Sequence, residues 1–276
     1  LPIGDAEMTN PVQYAQGGTG TADTNNKPSP NIWKGSHFED IQSGHLPGAA
    51  IFEKFEHGPI AAASTTYVSG GGYRISTGSG ATITPDRAQG GGIILTPGSA
   101  NVQASFASFS QPFQITSGAK DFFFEARVEF SAITDGQPSW FVGVGDETAL
   151  TNAIPITSTG TIGDLNIVGF HRSEDDADVL DTAYKADGET AVVVGADAIT
   201  LVAATAVKIG MRFNSTNNIL TFYKNGVALA DTKTIPDNTG TDFPANETLG
   251  LIAGGLSDDG GAGTLTISSI KASQEA

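Results

Sequence analysis

The amino-acid sequence predicts an all-β protein: a two-sheet antiparallel sandwich behind an extended N-terminal arm. Segments of strict apolar–polar alternation recur along residues 59–276, turn residues separate them, and no window sustains a helical period over three turns. The composition agrees. Hydrophobic residues are 39% and charged residues 16% of 276, with 35 Gly and 13 Pro. That mix is too apolar for a disordered chain and too rich in Gly, Thr, Ser and Asn for a helical one.

The clearest strand is Asp121–Phe130. Phe122, Phe124, Ala126, Val128 and Phe130 fall on one face; Phe123, Glu125, Arg127 and Glu129 fall on the other. Burying its large inward side chains contributes about 1.5–3 kcal/mol each before entropy. A one-residue slip exposes them all, so the register is fixed. Val207, Ile209, Met211 and Phe213 repeat the alternation, with Lys208 and Arg212 facing out. After the turn residues 214–218 comes Ile219–Lys224, then Asn225-Gly226, the pair that a type I′ hairpin requires because both central residues need positive φ. Val227–Leu229 begins the return strand, giving three successive antiparallel strands. Further strands are expected at Tyr67–Ile75, Val102–Phe109, Trp140–Val144, Asn166–Phe170, Thr190–Val194, Leu249–Ala253 and Thr264–Ile270. The total of about ten to twelve indicates a two-sheet sandwich, and no internal repeat points to a propeller or solenoid.

Residues 1–58 read differently from the sandwich at 59–276. Residues 16–26 have few bulky side chains and no period, and Lys27-Pro28-Ser29-Pro30 favours extended backbone. Alone, such a segment cannot bury enough apolar surface to offset chain entropy, so the expectation is an arm held by a partner. Fully extended it spans roughly 190 Å. Its sparse anchors, Ile3, Val12, Tyr14, Ile32, Trp33, Phe38 and Ile41, are then the side chains that plug into partner surfaces. The alternative is an arm that wraps its own sandwich.

The 14 basic and 30 acidic residues give a formal charge of −16, a field that repels phosphate backbones and anionic lipid heads. Direct nucleic-acid or membrane binding is therefore not expected, and no apolar run approaches the roughly 20 residues of a membrane span. Cys is absent, so disulfides and thiolate metal sites are excluded. The chain opens at Leu1 without a signal-peptide pattern; either a leader has been removed or the numbering begins partway into the gene product.

Phe124–Phe130, Trp140-Phe-Val-Gly-Val-Gly145, Val168-Gly-Phe170, Val207–Phe213 and the hairpin Leu220–Gly226 together resemble the concanavalin A-like, laminin-G-like jelly-roll sandwiches. The resemblance covers roughly residues 113–270 and speaks to fold far more than to function. In its acidic Gly/Thr/Ala-rich composition, lack of Cys and N-terminal arm, the chain is also similar to virion structural proteins of tailed bacteriophages, especially capsid decoration proteins. That likeness implies a virion protein on the outer capsid surface. Its arm would thread over the major capsid protein and symmetry-related copies, and the sandwich would form a homo-oligomer, dimer or trimer.

Candidate chemistry is sparse. A retaining glycosidase needs two carboxyl groups about 5–5.5 Å apart, whereas Glu125 and Glu129 lie about 13 Å apart along one strand face. The Glu-x-Asp-x-x-Glu pattern of the sandwich-fold glucanases is absent, so no enzyme activity and no catalytic residue is expected. The acidic run Glu174–Asp181 contains weak Ca²⁺ candidates, Asp175, Asp176 and Asp178, without EF-hand spacing; Asp258-Asp259 is a weaker second. No other cofactor is expected. His37, His45, His57 and His171 lack zinc-ligand spacing. The rival function is a carbohydrate-binding, lectin-like module for host or glycan adhesion. The resemblance implies a rim-loop site for it, for which Asp146, Asp164, Asn166, Trp140 and Tyr184 are the residues on offer, Trp140 being more often core than platform.

Overall fold

The alternation along residues 121–130 becomes the central strand of one wall of a sandwich. In a computed structural model of the chain, residues 28–55, 61–62, 66–69, 72–86, 91–98, 101–146, 155–157, 160–176, 178–235, 242–257 and 261–276 are described. They form two short helices, α1 (Pro30–Trp33) and α2 (Phe38–Gln42), and seventeen strands. The strands are β1 (Gly48–Glu53), β2 (Ala61–Ala62), β3 (Thr66–Ser69), β4 (Tyr73–Thr77), β5 (Thr82–Pro85), β6 (Ile93–Thr96), β7 (Ala104–Ser108), β8 (Phe122–Phe130) and β9 (Ser139–Gly145). They continue as β10 (Ile167–Arg172), β11 (Val179–Lys185), β12 (Val192–Thr200), β13 (Val207–Asn214), β14 (Ile219–Lys224), β15 (Val227–Thr234), β16 (Gly250–Leu256) and β17 (Leu265–Glu275).

One sheet runs β15-β14-β13-β8-β17-β6-β5-β2, with β1 beside β6 on the far flank of β17; the other runs β12-β11-β10-β9-β16-β7-β4-β3. Every pairing is antiparallel. Phe122, Phe124, Ala126, Val128 and Phe130 all enter the core between the sheets, where Val142, Val144, Val168 and Phe170 meet them from the opposite wall. Phe170 meets Phe222 edge-on across the gap, with ring centroids 5.6 Å apart. The β14–β15 turn has Asn225 at φ 49° and Gly226 at φ 76°, as the Asn-Gly pair requires.

Strand number departs from expectation for identifiable reasons. Tyr67–Ile75 is a hairpin, β3 and β4, with Gly72 at φ 82° immediately before the second strand. The strands β5 and β6 are four residues each, so alternation has no length in which to show. Strand β11 follows directly on an acidic run that reads as loop.

The arm is the main correction. Ile3, Val12 and Tyr14 lie outside the described residues, but Ile32, Trp33 and Phe38 are not offered to a partner. Ile32 and Trp33 are buried against Phe123 and Tyr223 on the outer face of the chain's own sheet, with Phe38 packed beside them. The Trp33 ring stacks on Phe123 at 5.9 Å and takes Phe38 edge-on at 5.4 Å. Glycines make the seat. A Cβ on Gly210 would collide with Ile32 Cδ1, and one on Gly226 would lie 3.0 Å from Ser29 Cβ. Polar anchors complete it: Ser29 N–H donates to Glu125 Oε2 at 3.0 Å and Asn31 Nδ2 to the Gly226 carbonyl at 2.9 Å.

Beyond the helices, β1 pairs residue for residue with the second half of β17, from Gly48↔Glu275 to Glu53↔Ile270. Phe55 then enters the main core against Tyr73 and Phe106. The boundary expected at residue 58 therefore falls inside the sandwich, and the described part of the arm is a strap on its own domain. Composition averages over a window and does not show that Ile32, Trp33 and Phe38 have a glycine-floored face of their own sheet to dock on. The same strap explains why Phe123 and Glu125, on the outward face of β8, are both buried.

A pH-sensitive tie sits at the start of β8. Asp121 accepts the Ser215 N–H at 2.8 Å and hydroxyl at 2.7 Å, and the Arg212 guanidinium at 3.3 Å. Burial alone would raise this carboxyl, but the Ser215 and Arg212 contacts outweigh it and hold the group below the usual carboxylate range. A depressed carboxylate stabilises the fold above its ordinary value, about 4, and that contribution disappears as pH falls through the lowered one. Asp121→Asn should accordingly melt below wild type at neutral pH, with the gap closing in acid when melting temperature is followed against pH.

No helix among the described residues is long and apolar enough to cross a membrane.

Candidate functional site: a polar rim at one end of the sandwich

Antiparallel pairing delivers three distant chain segments to one rim. Ile167 at the start of β10 lies opposite Gly145 at the end of β9 and Lys185 at the end of β11. The residues next along the chain, Asp146, Asn166 and Ala186, are thus neighbours although twenty or more positions separate each from the next in sequence.

Hydrogen bonds hold the rim. Asn166 Nδ2 donates to Asp146 Oδ2 at 2.7 Å, and Asn166 Oδ1 accepts the Asp187 N–H at 2.9 Å. Asp164 Oδ1 accepts both Lys185 Nζ and the Gly188 N–H at 2.9 Å. Lys185 first, then the Gly188 N–H, holds the exposed Asp164 carboxyl below its ordinary pKa. Asp146 is buried, whereas Asp187, Gly188 and Glu189 face solvent.

A second cluster abuts the first through the Ala186 N–H, which donates to the Asp242 carbonyl at 3.0 Å. Here the Tyr184 ring is buried against Phe243, while its hydroxyl donates to Asp242 Oδ2 at 3.0 Å and accepts from Lys233 Nζ. Burial raises the Tyr184 phenol, Lys233 opposes the rise, and Asp242 adds to it. Lys233 also lies 4.7 Å from the Tyr184 ring centre, a cation–π geometry. The rim offers carboxylate oxygens and the partly exposed Lys233 ammonium, with the Tyr184 ring buried beneath them. Such a set can exchange hydrogen bonds with a polyhydroxylated ligand.

Of the rim residues expected from sequence, Asp146, Asp164, Asn166 and Tyr184 belong to this constellation. Trp140 does not: it starts β9 at the opposite end, is buried, and lies so close over Gly255 that a Cβ there would strike the ring. Lys185, Asp187, Lys233 and Asp242 were missed. The Lys-Ala-Asp-Gly turn at 185–188 was the available signal, because a strand ending in Asp-Gly marks a turn.

The other candidates do not assemble. No three His, Asp or Glu side chains among the described residues converge as metal ligands would. Asp175 and Asp178 face solvent, and Asp176 with Asp135 and Glu174 surrounds the buried Arg172 guanidinium. Asp258 and Asp259 lie outside the described residues, as does His57. His37 pairs with Asp40 and Glu275. Glu125 lies under the strap and opposite Lys271 in the register, consistent with a charge ladder, and Arg127 bonds to Ser268.

No protein-family model and no curated protein matches the chain. Solved structures do. Peanut lectin superposes with a TM-score of 0.53 at 15% identity, covering 83% of this chain and 98% of that one. Arcelin-5, a lectin-like defense protein from Phaseolus vulgaris, gives 0.51 at 12%, with 83% and 98% covered. A structure of an endo-acting O-glycanase from the human gut microbiota gives 0.50 at 9%, with 82% and 99% covered. Similarity of this extent at such low identity speaks for architecture, and the architecture is plain: the chain folds as a concanavalin A-like jelly-roll sandwich.

Proposed function

We propose that this protein is a carbohydrate-binding, lectin-like domain whose site is the polar rim around Asp146, Asn166, Asp164 and Tyr184. The observation that carries the reading is the convergence, from three separate segments, of an amide-held carboxylate with exposed carboxylates. The buried Asp146 holds the Asn166 amide, whose oxygen in turn accepts the Asp187 N–H, so the exposed Asp187 and Glu189 stand on a fixed turn. Preorganised acceptors of this kind recognise sugar hydroxyls with little loss of side-chain entropy. Lectin-like sandwiches among the similar folds support the reading. The proposed action is binding without cleavage, since Glu125 is covered by Ser29 and shares its strand face with Glu129.

A glycan array tests it, followed by titration of the best ligand. The double variant Asp146→Ala, Asn166→Ala should lose roughly 10- to 100-fold in affinity, as for one or two buried polar contacts of about 1–1.5 kcal/mol each, while Trp140→Phe leaves affinity unchanged. An array without any binder would sink the reading. The rival, a decoration protein on a phage head, would then stand on the acidic composition and the residues before Pro28. It calls for co-sedimentation with capsids built of the major capsid protein, with and without residues 1–27.

A further inference from the structure

We propose that His171 and Asp181 form a proton-operated latch on the segment that carries Asp164 and Asn166 to the rim. The described residues of this segment, 155–157 and 160–166, lie on the outer face of the second sheet. Ile156 and Ile162 form an antiparallel bridge, and the Gly163 N–H donates to the Pro155 carbonyl at 3.1 Å. Ile162 and Leu165 bury themselves with Phe141, Ile167, Ala183 and Ile252. Two residues beyond Ile162 stands Asp164, and two further stands Asn166.

His171 of β10 reaches up to this segment with a polar bond. Its Nε2 lies 2.6 Å from the Gly160 carbonyl oxygen. A carbonyl only accepts, so Nε2 carries the proton. Nδ1 then points, buried and without a hydrogen bond, at Asp181 Oδ2 3.8 Å away. Two acceptors face each other: the pair is one proton short. On the β9 side the neighbour is the apolar Phe141. The charged groups acting on Asp181 from the flanking elements are Asp176, in the turn after β10, and Asp197 on β12, whose N–H donates to Asp181 Oδ1 at 2.8 Å.

One added proton completes the set. As imidazolium, His171 gains an Nδ1–H directed at the carboxylate; as a carboxylic acid, Asp181 gains an O–H directed at Nδ1. Either way His171 is held upright and its bond to Gly160 tightened. Desolvation raises the Asp181 carboxyl, with the Asp197 N–H and His171 opposing and the Asp176 and Asp197 charges adding to the rise. A raised group stabilises the fold below its unfolded value and ceases to do so as pH rises through the folded one. The latch is therefore closed in acid and slackens toward alkali.

Gly160 suits the catch, sitting at φ 70° so close to Ser173 that a Cβ would strike its hydroxyl. A side chain there could not lie so close.

The test is amide exchange of Gly160 and Gly163 in the full chain from about pH 4, the ordinary carboxylate value above which Asp181 is raised, to about pH 8, corrected for intrinsic rates. Protection should fall about tenfold across that range, about 1.4 kcal/mol in opening free energy. In Asp181→Asn the new amide donates to Nδ1 of the neutral imidazole, while its oxygen still accepts from Asp197, so protection at the alkaline end should rise toward the acid value and the pH dependence shrink. Flat protection in wild type, or an undiminished pH dependence in Asp181→Asn, would overturn the latch. His171→Gln, which keeps a donor for Gly160 but cannot titrate, should be flat, and a retained pH dependence there would equally overturn it.

Coupling of the latch to ligand affinity rests on the lectin reading. If protection responds to pH and no glycan binds, the latch stands and that reading falls. If glycan binds equally at all pH while protection is flat, the reverse holds.

Discussion

Trp33→Ala should remove about 3–5 kcal/mol of stability from the isolated monomer, the usual range for emptying a buried Trp site. Chemical denaturation with matched m-values measures it. The loss should be large because one ring joins several contacts: the stack on Phe123, the edge contact with Phe38, and the cover over Ile32. Trp33→Phe should recover most of it, since the indole N–H has no hydrogen-bond partner to lose. The outcome separates two pictures of the strap. Were Trp33 an anchor for a neighbouring subunit, the alanine variant would keep monomer stability and weaken only assembly.

Arg172→Met should rank beside it, at about 3–5 kcal/mol, the range for breaking a buried charged network by removing one partner. The guanidinium donates to three carbonyls, of Thr134 at 3.0 Å, Gln137 at 3.1 Å and Pro138 at 2.9 Å. It also stands among Asp176, Asp135 and Glu174. Met fills much of the volume and satisfies none of this. The deficit should be worst at neutral pH, where the carboxylates are ionised and unopposed, and ease in acid. Equal unfolding midpoints for variant and wild type at neutral pH would show that the carbonyls find other donors.

Much of the sandwich was legible in its residues because the alternation of β8, β13 and β14 answers to one buried face. Where alternation failed as a guide, a second layer had intervened. Phe123 and Glu125 face away from the core as their parity demands, yet are buried because Ile32, Trp33 and Ser29 lie over them. Nothing in Pro28–Phe38 alone shows that glycines at 210 and 226 have cleared a seat for it; that information lies some 180 residues away. The rim was half legible for the same reason. Asp146, Asp164 and Asn166 stand at strand ends, where loops gather, and could be named. Lys185, Lys233 and Asp242 join them through the pairing order β9-β10-β11 and the approach of the two sheets, which the sequence does not announce. Trp140 misled because an aromatic at a strand end looks alike whichever end of the sandwich that strand enters.

The position of β17 has a consequence for how the molecule comes into being. It lies between β8 on one side and β6 and β1 on the other, so its partners were made up to some 220 residues earlier. Without Leu265–Glu275 the first sheet is three unconnected pieces, β15-β14-β13-β8, β6-β5-β2 and β1. Closure therefore carries a long-range entropic barrier, of the kind that places β-rich domains in the millisecond-to-second range or slower. Until then the Phe-rich β8 has an open edge on its β17 side, and the net charge of −16 opposes the approach of like copies.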